Sequence, residues 1–150
     1  MGSPDQFQKP ATRWPLVGWS IFAAVAGLCS VVLPPHLTPG ALVNPGYGHP
    51  LVPWFASVLA NLSFLPTLTA MFVLGAVLGL AQPRWWPLLG CLTVSLPMLF
   101  WGINFVHDVT IDSTSHNLFP FEIAMVLCFA LPSVAGGGIG RLIRWAILRS

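Results

Sequence analysis

The chain has 150 residues, of which 55% are hydrophobic and 7% are Asp, Glu, Lys or Arg, and its formal net charge is +2. A soluble domain carries roughly 25% charged residues, so this composition excludes a water-soluble surface. A mean hydropathy of +0.79 predicts a single membrane domain instead. No nucleic-acid partner is expected, because binding to phosphate backbones needs clustered Lys and Arg.

Four windows without Lys, Arg or Asp are long enough to cross a bilayer, whose ~30 Å core needs about 20 helical residues. Their apolar runs lack the alternation of barrel strands, and backbone in lipid must satisfy its own hydrogen bonds. The predicted fold is therefore all-α, an integral membrane four-helix bundle with two irregular outer loops. The predicted spans are 14–33, 54–81, 85–106 and 120–140.

The first span follows Lys9 and Arg13, a pattern that also fits a cleaved signal sequence. Because the apolar run continues to Leu33, well past its small residues, we expect the span to be retained. The loop that follows, 34–50, has five prolines with glycines between them. This composition predicts an irregular cap without a helix.

Pro66, Pro97 and Pro132 lie near the middles of the second, third and fourth spans. Each removes a backbone donor and predicts a kink. Kinked helices can surround a cavity, but prolines are also tolerated in membrane helices without a functional role.

Small residues recur four positions apart, which predicts close helix packing. The spacing leaves open whether the partner is another helix of this chain or another subunit. The pairs are Ala23 and Gly27, Gly75 and Gly79, and Gly136 and Gly140.

The predicted spans place every basic residue on one side of the membrane, and the positive-inside rule makes that side cytoplasmic, with both termini in it. Every histidine, and every acid except Asp5, then lies on the outer side. We predict a multi-pass protein of the cytoplasmic (plasma) membrane. The basic residues are Lys9, Arg13, Arg84, Arg141, Arg144 and Arg149.

The segment 107–122, HDVTIDSTSHNLFPFE, concentrates titratable side chains between the last two spans. Its His and Asp residues suit zinc or a related divalent ion, and a helix would place Asp112 and His116 on one face. A plain solvated loop is the alternative. The candidate metal ligands are His107, Asp108, Asp112 and His116.

Glu122 and His107 are the candidate catalytic residues, because a carboxyl group at a membrane boundary can act as a general acid or base with a histidine partner. A structural role explains Glu122 equally well. It follows Pro120, and the helix dipole favours a carboxylate in a first turn.

The stretch GGGIGRLIRW, residues 136–145, resembles the glycine-rich signature of small four-helix fluoride channels. In that family the motif lies near the N-terminus, whereas here it lies in the last span without the accompanying pore segments. No family is assigned on this motif.

Three functions fit the sequence. The first is a non-catalytic accessory or binding subunit of a larger membrane complex, or of a homo-oligomer, with a polar outer-face site. The second is a membrane enzyme or a metal- or ligand-binding protein that uses the segment 107–122. The third is a small transporter or channel, for which the absence of charged residues from the span centres is unfavourable.

Overall fold

A computed structural model of the protein describes residues 14–38, 62–112 and 119–149. Apart from short turns these residues are α-helical and contain no strand, so the all-α prediction is confirmed for this part of the chain. The described helices are α1 (Trp14–Leu37), α2 (Leu65–Ala81), α3 (Trp86–Leu92), α4 (Ser95–Ile111), α5 (Phe119–Cys128) and α6 (Leu131–Ile147).

Three helical segments are long and apolar enough to cross a membrane. They are Pro15–Pro35, Trp86–Ile111 and Phe119–Ile147, and α2 is a shorter apolar helix. Three such segments are consistent with an integral membrane protein.

Three helices extend well beyond the ends of the predicted spans, and α6 continues from the predicted end at residue 140 to Ile147. α1 continues through Pro34 and Pro35 to Leu37, so the expectation of a loop without helix from residue 34 is wrong for its first four residues. Neither proline can donate an N–H to the carbonyl four residues earlier, and the helix ends two residues after Pro35. α4 continues past the predicted end at residue 106 to Ile111.

Each mid-span proline follows an interruption of the helix. Ser63 and Phe64 precede α2, Thr93 and Val94 separate α3 from α4, and a turn at 129–130 separates α5 from α6. A proline is tolerated in a first turn because the N–H that it lacks has no partner there. The prolines therefore start new helices and do not merely bend continuous ones.

The three interruptions meet at one apolar core cluster. Of its five buried members, Leu62, Val94 and Ala130 lie in or beside an interruption. The other two, Val31 of α1 and Met71 of α2, have no exposed surface. The interruptions thus surround packed side chains.

A second core cluster joins Ala23 of α1, Leu78 of α2 and Leu89 of α3. Early α1 therefore packs on late α2, and late α1 packs on early α2 at the first cluster. The four helical segments run alternately up and down through these two levels of core.

The closest helix contact is between α2 and α6, which run in parallel. Glycines on each helix face backbone carbonyl oxygens of the other, so a Cβ at any of these glycines would collide with backbone. Such geometry permits weak Cα–H···O contacts. The facing residues are Gly75 with Ser133, Gly79 with Gly137, Gly136 with Phe72, and Gly140 with Ala76.

Gly27 of α1 makes the equivalent contact with the carbonyl oxygen of Thr93. In an uninterrupted helix this carbonyl would accept the N–H of residue 97, which is a proline and has none. Each pair of small residues that the sequence indicates therefore has a packing partner within this chain.

Arg144 of α6 binds the C-terminal end of α2. Its guanidinium donates hydrogen bonds to the carbonyl oxygens of Leu80, at 2.7 Å, and Ala81, at 3.3 Å. The last carbonyls of a helix have no partner within it, and a cation there also favours the helix dipole. Arg144 is thus a structural cap as well as a basic residue at a helix end.

We expect Gly75→Ala to lower the free energy of unfolding by about 1–3 kcal/mol, because the added methyl group forces α2 away from the backbone of Ser133. Gly18→Ala is the matched control, since no described atom lies within 4 Å of its Cβ position. The control should be neutral or stabilising by up to about 1 kcal/mol. Unfolding in detergent, followed by circular dichroism, measures both, and equal effects would contradict the packing argument.

Arg144→Gln should destabilise the protein by about 1–2 kcal/mol, because the α2 carbonyls lose a charged donor. Arg149→Gln removes the same charge from a side chain stacked on Trp145, 3.7 Å from the ring centre, and should change stability by less than about 0.5 kcal/mol. The same unfolding measurement compares the two. A loss of equal size in both variants would show that net charge alone matters.

Candidate functional site

The polar segment 107–122 begins on a helix and not in a loop. His107 and Asp108 lie in the last turns of α4, and Asp112 follows its last residue. The expectation that these three residues belong to a loop is therefore corrected for the first two. Residues 113–118, with His116 among them, lie outside the described residues.

His107 and Asp108 are in contact. The Nδ1 atom of His107 lies 3.4 Å from Oδ1 of Asp108, and the two side chains are 22% and 40% exposed. This distance exceeds that of a strong hydrogen bond, as expected for helix neighbours whose side chains diverge. The hydroxyl of Thr110 donates to the backbone carbonyl of His107 at 2.6 Å. The end of α4 thus presents a partly exposed polar group of three residues.

The described residues contain no group of three His, Cys, Asp or Glu side chains placed to hold a metal ion. Asp112 has extended backbone angles, with φ −137° and ψ 107°, so the helix that would put it on one face with His116 does not continue through it. A site that combines His107, Asp108, Asp112 and His116 stays a prediction, since His116 is not described.

Glu122 lies in the first turn of α5, after Pro120. This is where the helix dipole stabilises a carboxylate, and the position agrees with the structural explanation. Its side chain is half-buried. General acid or base chemistry by Glu122 with His107 stays a prediction.

Three aromatic rings join the end of α4 to the start of α5. Phe119 lies with its ring centre 4.6 Å from that of Phe105 and 6.0 Å from that of Trp101. Trp101 and Phe105 are themselves 5.3 Å apart, and Trp101 is only 7% exposed. These stacked and tilted rings bring together the two ends of the polar segment. The spacing of four between Trp101 and Phe105 was the only signal of this cluster in the sequence.

A shallow, wide-open groove of about 900 Å³ runs along one face of α4 and ends at the polar group. Its walls are almost wholly apolar, and Leu99 and Val106 are 55% and 62% exposed. His107 and Thr110 line its polar end. We call this feature the α4 groove, and it is also lined by Ser95, Gly102 and Ile103.

Gly102 lies in the α4 groove, and no described atom comes within 4 Å of the position that its Cβ would occupy. The tightly packed glycines of α2 and α6 have an evident reason in the fold. For Gly102 no such packing contact exists among the described residues. A glycine inside a helix nevertheless lowers helix stability by about 1 kcal/mol relative to alanine. The groove and its open glycine were not found from the sequence.

Two buried hydroxyl groups also had no signal in the sequence. The side-chain oxygens of Thr67 and Ser133 are fully buried and have no hydrogen-bond partner in the described part of the chain. Other hydroxyls, such as those of Ser20 in α1 and Thr93 in the turn after α3, donate to carbonyls three or four residues earlier. Thr67 and Ser133 each follow a Leu-Pro pair that starts a helix.

The described residues form an all-α fold with three helical segments long and apolar enough to cross a membrane, and α4 has an exposed apolar face. The chain matches no protein-family model, no curated protein and no solved structure.

We expect Trp101→Ala to loosen the junction of α4 and α5, because it removes ring contacts worth about 0.5–1.5 kcal/mol each. Backbone amides of 105–112 and 119–124 should exchange with deuterium at least several-fold faster, while those of α2 stay unchanged. Leu99→Ala, on the same helix and 55% exposed, is the control and should leave exchange at the junction as it is. Slow exchange in the Trp101 variant would mean that the rings do not hold the junction.

Proposed function

We propose that the protein is a multi-pass membrane protein that acts as a non-catalytic accessory subunit of a membrane complex. In this proposal the α4 groove binds an apolar helix of another membrane protein, and the polar group at its end completes the contact at the outer face. The open groove with Gly102 at its wall is the observation that carries the proposal.

Membrane insertion and orientation are supported by the distribution of charge. Arg144 reaches the C-terminal end of α2, so Arg84, which follows α2, and the arginines in and after the last turns of α6 gather at one end of the bundle. His107, Asp108 and Glu122 lie at the other end, where α4 meets α5. The positive-inside rule then puts the arginine end, and both termini, in the cytoplasm.

A helix is the partner that suits the α4 groove. Lipid tails are as apolar as the groove, so apolar burial alone gives a helix no advantage in a membrane. A glycine on the surface of α4 does favour a helix over lipid, because it lets a second backbone approach closely enough for extensive van der Waals contact. We expect the partner helix to cross α4 at Gly102 with a small residue of its own.

The end of the groove supplies specificity. His107 and Thr110 line this end, and the hydroxyl oxygen of Thr110, whose hydrogen is donated to the carbonyl of His107, can accept a hydrogen bond from a partner. A hydrogen bond between helices in a membrane is worth about 0.6 kcal/mol on average. Such a bond would fix the register of the partner while the apolar wall supplies most of the contact area. This assignment gives the polar outer-face site a binding role without catalysis.

Native mass spectrometry of the protein extracted from its own membranes in mild detergent tests the proposal. The wild-type protein should carry a companion membrane protein, and Gly102→Leu should remove most of it by blocking the approach of the helix. Gly18→Leu makes the same change at another open glycine outside the groove and should keep the companion. Loss in both variants, or in neither, would overturn the assignment of the groove.

Other outcomes of the same measurement favour the alternatives. A second copy of this chain in place of a foreign subunit would indicate a homo-oligomer. A companion-free chain with one bound metal ion would favour the site at His107 and His116, and alanine at both residues should then abolish that ion. Each of these results contradicts the accessory-subunit proposal.

A further inference from the structure

The arginine end of the bundle carries a second groove, of about 550 Å³. It lies where α6 passes the first residue of α3, and its apolar wall includes Trp86, Gly138 and Leu142. Trp145 and Arg141 also line it. Leu142 is 64% exposed and Trp145 53% exposed, so the wall is open to its surroundings. We call it the α6 groove.

Arg141 differs from the other described arginines. Arg144 is bonded to the carbonyls of α2, Arg149 lies over the ring of Trp145, and Arg84 lies 5.4 Å from the ring centre of Trp85. Arg141 makes no hydrogen bond or ion pair with a described residue. A guanidinium beside an apolar groove is therefore available to a ligand.

The charge at this end selects an anion. Four described arginines lie here, whereas the described acids Asp108, Asp112 and Glu122 belong to the α4–α5 end. Guanidinium groups bind phosphate oxygens with two parallel hydrogen bonds. The apolar wall beside Arg141 suits a hydrocarbon chain, and tryptophans at such a boundary are typical of the level of lipid headgroups.

We propose that the α6 groove binds an anionic phospholipid of the cytoplasmic leaflet. Its phosphate lies on Arg141, and one acyl chain lies along Leu142 beside the edge of the Trp86 ring. That ring packs against Gly138, 3.6 Å from the position of its Cβ, so a long side chain at this position would extend past the ring into the groove. This proposal rests on membrane insertion but not on the partner at the α4 groove.

The test compares phosphatidylglycerol with phosphatidylcholine of identical acyl chains, added in equal amounts to the purified full chain in detergent. Native mass spectrometry counts the bound lipids. The wild-type protein should retain phosphatidylglycerol about fivefold over phosphatidylcholine, the preference expected for one arginine near a membrane surface. Arg141→Gln should abolish the preference, and Arg149→Gln, which removes the same charge, should keep it within about twofold.

Two further variants test the apolar wall. Gly138→Leu fills the groove and should reduce the retention of both lipids. Leu142→Asn changes an exposed side chain and should do the same without affecting the fold, so it gives the answer if Gly138→Leu does not fold. Unchanged retention in Leu142→Asn, or equal losses in the Arg141 and Arg149 variants, would overturn the site and leave only general electrostatic attraction.

The failure of this proposal is distinguishable from failure of the proposed function. Alkaline extraction of native membranes reports insertion, and the Gly102→Leu comparison reports the partner, while neither depends on Arg141. An inserted protein without lipid preference would overturn the α6 groove alone. A protein released by alkali would overturn membrane insertion itself.

Discussion

The close approach of α2 and α6 is the constraint on which the rest of the structure depends. Backbone meets backbone at four glycines, so neither helix can rotate without collision. Arg144 fixes the same pair at its end by capping α2. With these two helices held, the core cluster at the interruptions and the cluster at Leu78 are placed along one wall, and α1 and α3 pack against it.

Glycine and proline act together in this fold. Prolines set where helices begin, and glycines set how closely the resulting pieces approach. The effects of a proline and a glycine coincide at the carbonyl of Thr93. This carbonyl receives no hydrogen bond from residue 97, which is a proline, and it lies against Gly27. In the absence of water a carbonyl without a strong donor is costly, so a close Cα–H contact is a useful partial replacement.

Composition and hydropathy predicted the helical class and the small-residue contacts, because both depend on local patterns along one helix. The interruptions were predicted only as kinks, because a proline shows where a helix is disturbed but not whether the residues before it leave the helical conformation. The placement of His107 on α4 was missed because a polar residue after an apolar run usually marks a loop. The α4 groove could not be predicted from the sequence, because the exposure of one helix face depends on which faces every other helix covers.

The cap on α2 has a consequence for synthesis. Arg144 and the carbonyl of Leu80 are 64 residues apart in sequence. A similar sequence separation lies between the glycines of α2 and the residues of α6 that they contact. The second helix therefore emerges from the ribosome long before its partner exists. Until α6 has also been synthesised, the glycine face of α2 lacks the backbone that packs against it, so this contact cannot form while α2 is the newest part of the chain.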